Sequence, residues 1–134
     1  MLETTDLTDH LRGLEQGIVL QSKFRRADLI HQTAQQIQKD FAEFGMEVTF
    51  SGDVETAYNE LFDQMHSHLK TMLAKNYNTI FNFLYRIDLN EKSIVRAESD
   101  YPEYSKVEVM CHLIIQREVK KVLIRNYFKE KGMG

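Results

Sequence analysis

Between Ile30 and Phe44 the apolar side chains return every three or four residues, at Ile30, Ala34, Ile37, Phe41 and Phe44. The same rhythm runs from Val54 through Tyr58, Leu61, Met65 and Leu69 to Met72. This spacing gathers apolar residues on one face of a helix, whereas a half-buried strand alternates them. Only one proline, Pro102, and six glycines occur in 134 residues, so little in the chain interrupts long elements. The pattern therefore predicts a helical protein before any composition is weighed.

The element order follows from caps and breaks. Leu7, Leu11, Leu14 and Ile18 suggest a first helix, capped by Thr5 or Asp6 and weakened by Gly13 and Gly17. A clearer helix spans about 26–44, with Gly45 where a left-handed terminus is wanted. Met46-Glu47-Val48-Thr49-Phe50 alternates like a strand, but no second strand candidate exists to pair with it. It reads as an extended connection that plugs Val48 and Phe50 into the core; an unpaired segment of this kind could also join its copy across a two-fold axis. Ser51-Gly52-Asp53 is a turn whose Ser or Asp caps a helix over about 54–75. Residues 79–87 are apolar almost all round, which predicts a central position. Asp88 or Asn90 opens a short helix to about Glu98. Asp100 and Glu103 have capping-box spacing around Pro102, which starts the last helix there and runs it to about Lys131. The expected fold is a single all-α domain over 1–134: an antiparallel bundle of four to five helices with one short extended connection around residues 46–50.

Composition narrows the function classes. Hydrophobic residues are 43% and charged residues 28%, the balance of a chain that folds around a core. Net charge is −3, so no global field calls for a polyanionic partner, although residues 103–134 alone carry +3. The lone cysteine, Cys111, excludes an internal disulfide and a thiolate-rich zinc site. The acidic start of the chain lacks the basic and apolar regions of a secretory signal, and no apolar run reaches bilayer-spanning length, so the expected location is the cytoplasm and no membrane partner is expected.

Few residues carry a chemical signal. Asp63 and His66, three apart, share a helix face and are a weak metal pair, because carboxylate-bundle metal sites need the motif twice. Glu108 and His112 lie four apart but follow a different pattern. Cys111 and His112 are adjacent, so they diverge by about 100° on a helix and do not form a nucleophile–base pair. No phosphate loop, nucleophile elbow or zinc-protease motif occurs, so no cofactor is called for and the reading leans away from an enzyme. Arg117, Lys121, Arg125 and Lys129 form a basic stripe on the last helix, either for phosphates or an acidic partner, or facing the acidic remainder of the same molecule. Arg86, Asp88, Arg117 and Glu118 are charges set in apolar sequence. Since a buried charge is costly unless paired, they predict a buried ion pair or polar site between the two segments.

Those same segments, Phe83-Leu84-Tyr85-Arg86-Ile87-Asp88-Leu89 with Glu91, and Ile115-Gln116-Arg117-Glu118-Val119 with Val122, Ile124 and Arg125, resemble small uncharacterised bacterial proteins over the second half of the chain. The resemblance implies one structural unit and no activity. The leading functional expectation is a non-enzymatic helical protein-interaction or assembly module, self-associating as a dimer. It rests on a surplus of apolar residues outside single inward stripes: Met46, Val48, Phe50, Leu89, Leu123, Ile124, Tyr127 and Phe128. The alternatives are a small-molecule- or metal-binding bundle, catalytic or not, and a nucleic-acid or acidic-partner binder working through the basic stripe.

Overall fold

The computed structural model describes residues 26–130 and 132. Five helices follow one another: α1 (Arg26–Ala42), α2 (Ala57–Lys75), α3 (Tyr77–Arg86), α4 (Glu91–Asp100) and α5 (Lys106–Glu130). Among the described residues there is no strand, and the helices pack as a bundle. None of them is long and apolar enough to cross a membrane. The helix expected on Leu7, Leu11, Leu14 and Ile18 lies outside the described residues.

Helix ends are set by local chemistry. At the end of α1 the Met46 amide bonds the Phe41 carbonyl and the Gly45 amide bonds that of Ala42, with Gly45 at φ +73. This paired pattern is a Schellman ending, and it needs a left-handed residue at the glycine position. The end of α3 repeats it with Leu89 to Leu84 and Asp88 to Tyr85, but here the left-handed residue is Asp88 at φ +67. Asn76 and Asn90 cap α3 and α4, their side-chain oxygens accepting from the amides of Thr79 and Ser93.

Two starts differ from the sequence reading. The capping box of the last helix is Ser105 with Glu108, not Asp100 with Glu103: the Glu108 amide donates to Ser105 Oγ and the Ser105 amide to Glu108 Oε1. Both pairs have the right spacing, and Pro102 serves the turn before the helix rather than its first turn. The second helix begins at Ala57, because Asp53 spends its carboxylate on the Glu55 amide in a preceding turn.

The core is one large cluster, with a smaller one of Ala97, Tyr104 and Val109 beside it. Leu29, Ala34, Ile37 and Phe41 of α1 meet Leu61, Met65 and Leu69 of α2, Ile80, Phe83 and Leu84 of α3, and a long run from Val107 to Leu123 of α5. Phe41 and Phe83 pack edge to face with ring centroids 4.6 Å apart. The central element is α5, which packs on α1, α2 and α4. The sequence reading placed residues 79–87 at the centre, but α3 packs on α2 and leaves Tyr85 85% exposed. Ile80, Phe83 and Leu84 of this short helix turn inward and Tyr85 turns to solvent, whereas α5 takes helices on three sides.

Residues 46–50 form the expected extended connection, with Met46 and Val48 buried and Phe50 half-buried against the core. Helix side chains satisfy its main chain. Gln64 accepts from the Thr49 amide at 2.8 Å and donates to the Thr49 carbonyl at 2.7 Å. Gln38 donates to the Val48 carbonyl, His68 Nε2 to that of Glu47, and the Ser51 amide donates to Glu60. These groups are therefore committed inside the chain.

Candidate functional site between the first and last helices

Asp40 and Glu118 are carboxyl groups enclosed between α1 and α5: Glu118 is 0% exposed and Asp40 9%. The two helices run antiparallel, so residues rising along α1 meet residues descending along α5. Arg125 Nη1 donates to Gln36 Oε1 at 3.0 Å, and Gln36 Nε2 donates to Asp40 Oδ1 at 3.0 Å. One turn on, Lys121 Nζ donates to Asp40 Oδ2 at 3.3 Å and lies 2.8 Å from Glu118 Oε1. The Lys121–Glu118 approach is a charge contact and not an aligned hydrogen bond.

Two buried carboxylates and one ammonium would leave a negative charge in the interior, which is costly. A proton held on one of the acids removes it. Burial, and next the neighbouring Asp40 carboxyl group, pushes Glu118 up to about 8. Burial alone would also raise Asp40, but the neighbouring Glu118, the Lys121 ammonium and the Gln36 amide outweigh it and hold Asp40 below the ordinary carboxylate range. The cluster thus holds one proton on the Glu118 side at neutral pH, and Asp40 is the ionised partner of Lys121.

The four charges expected to form one site divide among two ion pairs and one three-membered cluster. Arg117 Nη2 meets Asp88 Oδ2 at 2.7 Å, joining the end of α3 to α5. Arg86 instead meets Glu43 at 3.2 Å. Glu118 faces Lys121 and Asp40. Nor are all four buried: the side chains of Asp88 and Arg86 are 81% and 66% exposed. The reason is the Schellman turn, which directs Asp88 outward at the surface end of α3.

In the basic stripe, Arg117, Lys121 and Arg125 are taken up by Asp88, Asp40 with Glu118, and Gln36, while Lys129 is exposed. Asp63 is exposed and His66 half-buried, with His66 packed against Phe62 at 5.8 Å. Among the described residues no group of three or more His, Cys, Asp and Glu side chains is placed to hold a metal.

A second polar interior lies on the α2 side of α5. His112 is 1% exposed, stacked on Tyr58 at 5.3 Å and tilted against Phe62 at 4.7 Å. Neither of its ring nitrogens, nor the Tyr58 hydroxyl, has a hydrogen-bond partner. Burial pushes its pKa down to about 3, so the ring is neutral. Cys111 beside it is fully buried, and burial, with the charges of Glu108 and Asp63, raises its thiol far above the reactive range.

Sequence reasoning missed Asp40 and Gln36, which face the Arg/Lys row of α5, and it gave His112 no part in a polar interior. The available signal was α5 itself: a helix with apolar residues on nearly every face must be covered on nearly every face, and its polar residues need partners on other helices. Comparison of the chain with protein-family models, curated proteins and solved structures finds no match.

Proposed function

We propose that this chain is a non-enzymatic helical interaction module that self-associates through the C-terminal half of α5. The observation that carries the reading is the pair Ile124 and Phe128, one turn apart and 39% and 41% exposed. Much of the apolar surplus noted in the sequence is absorbed internally: Met46, Val48, Leu89 and Leu123 are buried. Ile124 and Phe128 remain outside. Paired apolar residues at this spacing on a helix face suit burial against another helix. The buried acids favour the same reading, because Asp40, Lys121 and Glu118 act as partners of one another and fix the register of α1 on α5.

Sedimentation equilibrium tests it. The wild-type chain is expected to be dimeric at micromolar concentration, and the double variant Ile124→Glu, Phe128→Glu to be monomeric with unchanged helix content. A wild-type monomer at every concentration up to the millimolar range refutes self-association.

A second reading, small-molecule binding, has one observation in its favour. An open cleft of about 490 Å³ lies between α4 and α5, lined by Lys92, Ser93, Arg96, Tyr101, Leu113 and Gln116 among others. Its volume falls in the range of ligand sites. Chemical-shift changes confined to these residues on adding a library of small acids would support it, and none across the library would remove it. Nucleic-acid binding by the basic stripe is disfavoured by the engagement of Lys121 and Arg125 with α1.

A further inference from the structure

Arg86 meets Glu43, Arg117 meets Asp88, and Arg125 donates to Gln36. Arg96 differs: among the described residues it has no ion pair and no hydrogen bond. Lys92, one turn before it on α4, is likewise exposed and unpaired among the described residues. Both cations border the cleft of about 490 Å³ between α4 and α5. Arg117 meets Asp88 just ahead of α4, while Ala97 near its end packs with Val109 in the first turn of α5. The two helices therefore run antiparallel, and Gln116 lies across the cleft from the first half of α4.

Unspent donors thus gather at one end of the cleft. Asn90 uses its side-chain oxygen to accept from the Ser93 amide and hydroxyl, which leaves the N–H groups of its side-chain amide available. Gln116, half-buried, adds another amide. With the Lys92 ammonium and the Arg96 guanidinium they make a donor-rich, cationic end. Asp100 lies at the other end, roughly 12 Å along α4 from Lys92. Leu113 and Tyr101, both half-buried, supply apolar and aromatic wall. Donors that have no acceptor of their own suit a ligand group rich in acceptors, and a guanidinium matches a carboxylate or phosphate with two parallel bonds. We infer that this cleft binds a small organic anion. Its carboxylate or phosphate is held by Arg96 and Lys92 with Asn90 and Gln116, and its apolar body lies on Leu113 and Tyr101. Repulsion from Asp100 sets the anionic group at the Lys92 end. The inference rests on the small-molecule reading and names the chemistry of the ligand.

Amide NMR titrations of the full chain with probes of matched size test it: phenyl phosphate, benzoate, benzyl alcohol and benzylamine, with inorganic phosphate beside them. Phenyl phosphate and benzoate are expected to give saturable shifts confined to residues 90–101 and 113–116, and the tighter of the two assigns the anionic group. Inorganic phosphate, which has no apolar body, is expected to bind about tenfold more weakly than phenyl phosphate; equal binding overturns the part given to Leu113 and Tyr101. Arg96→Gln changes an exposed side chain, and circular dichroism checks that the variant is folded. It is expected to weaken the preferred anion by about tenfold or more, and Arg96→Lys by less. Lys70→Gln, an exposed change on α2 outside the cleft, is expected to leave binding as it was. Equal weakening by Lys70→Gln would reduce the effect to net charge and overturn the inference, as would an affinity unmoved by Arg96→Gln. Benzyl alcohol or benzylamine seated in the cleft while both organic anions fail overturns the anionic assignment and leaves the small-molecule reading standing. No saturable shift from any probe overturns the inference outright.

Discussion

Glu118 and His112 sit on opposite sides of α5, and burial moves their proton affinities in opposite directions. The folded-state value of Glu118, about 8, lies above its ordinary 4.5. The folded chain therefore holds a proton that the unfolded chain releases, so this contribution is complete below about 4.5 and lost as pH rises through about 8. His112 falls from 6.5 to about 3, so its contribution is present above 6.5 and lost as pH falls toward 3. Asp40, held low, adds to the loss on the acid side. Between about 4.5 and 6.5 the two slopes oppose each other, which sets a stability plateau there. Urea unfolding from pH 4 to 9 should show it. Glu118→Gln should flatten the alkaline limb, and His112→Leu the acid limb. Because no partner is lost, His112→Leu should cost less than about 1 kcal/mol at pH 7. Lys121→Met leaves two buried acids without their cation and is expected to cost about 3–5 kcal/mol at pH 8. An alkaline limb that survives Glu118→Gln would move the titrating group elsewhere.

At the scale of elements, the clamp on the extended connection gives a clean expectation. Gln64→Ala removes both bonds to the Thr49 main chain. Because the site is exposed and water replaces part of what is lost, the cost should be about 1–2 kcal/mol. Hydrogen exchange should report it locally, with the Thr49 amide losing protection while Met65 in the same helix keeps it. The elements were largely legible in the sequence, since the return of apolar residues at Ala34, Ile37 and Phe41, or at Leu61, Met65 and Leu69, has no reading other than a helix. Gly45 announced its terminus for the same physical reason. The matching terminus at Asp88 was hidden, because a left-handed aspartate carries no mark distinguishing it from a cap or a surface charge. The true capping box was equally obscure, as Asp100 with Glu103 and Ser105 with Glu108 offer the same spacing, and only the path of the turn selects between them. Pairings across helices were harder still. That Arg117 chooses Asp88, and Lys121 chooses Asp40, depends on how far one helix slides along another, which periodicity within a helix does not encode.

For the molecule as a whole, the decisive arrangement is one long helix with the others laid around it. Met110, Ile114, Val122 and Leu123 are each 0% exposed, and they face neighbours from several directions. Ile114→Ala should cost about 2–5 kcal/mol, a large part of the stability of a domain this size. Because α5 touches α1, α2 and α4, the loss should appear as a uniform fall in exchange protection across those helices and not as local fraying of one. Protection lost in α5 alone would contradict its central role. The ribbon at residues 46–51 carries a different lesson. Its route is dictated by Gln38, Glu60, Gln64 and His68, which grip amides and carbonyls and ignore what is attached to them. Outward-pointing positions there, such as Glu47, are thus free to drift over evolutionary time, while the residues that preserve the ribbon's shape are written into the two helices beside it.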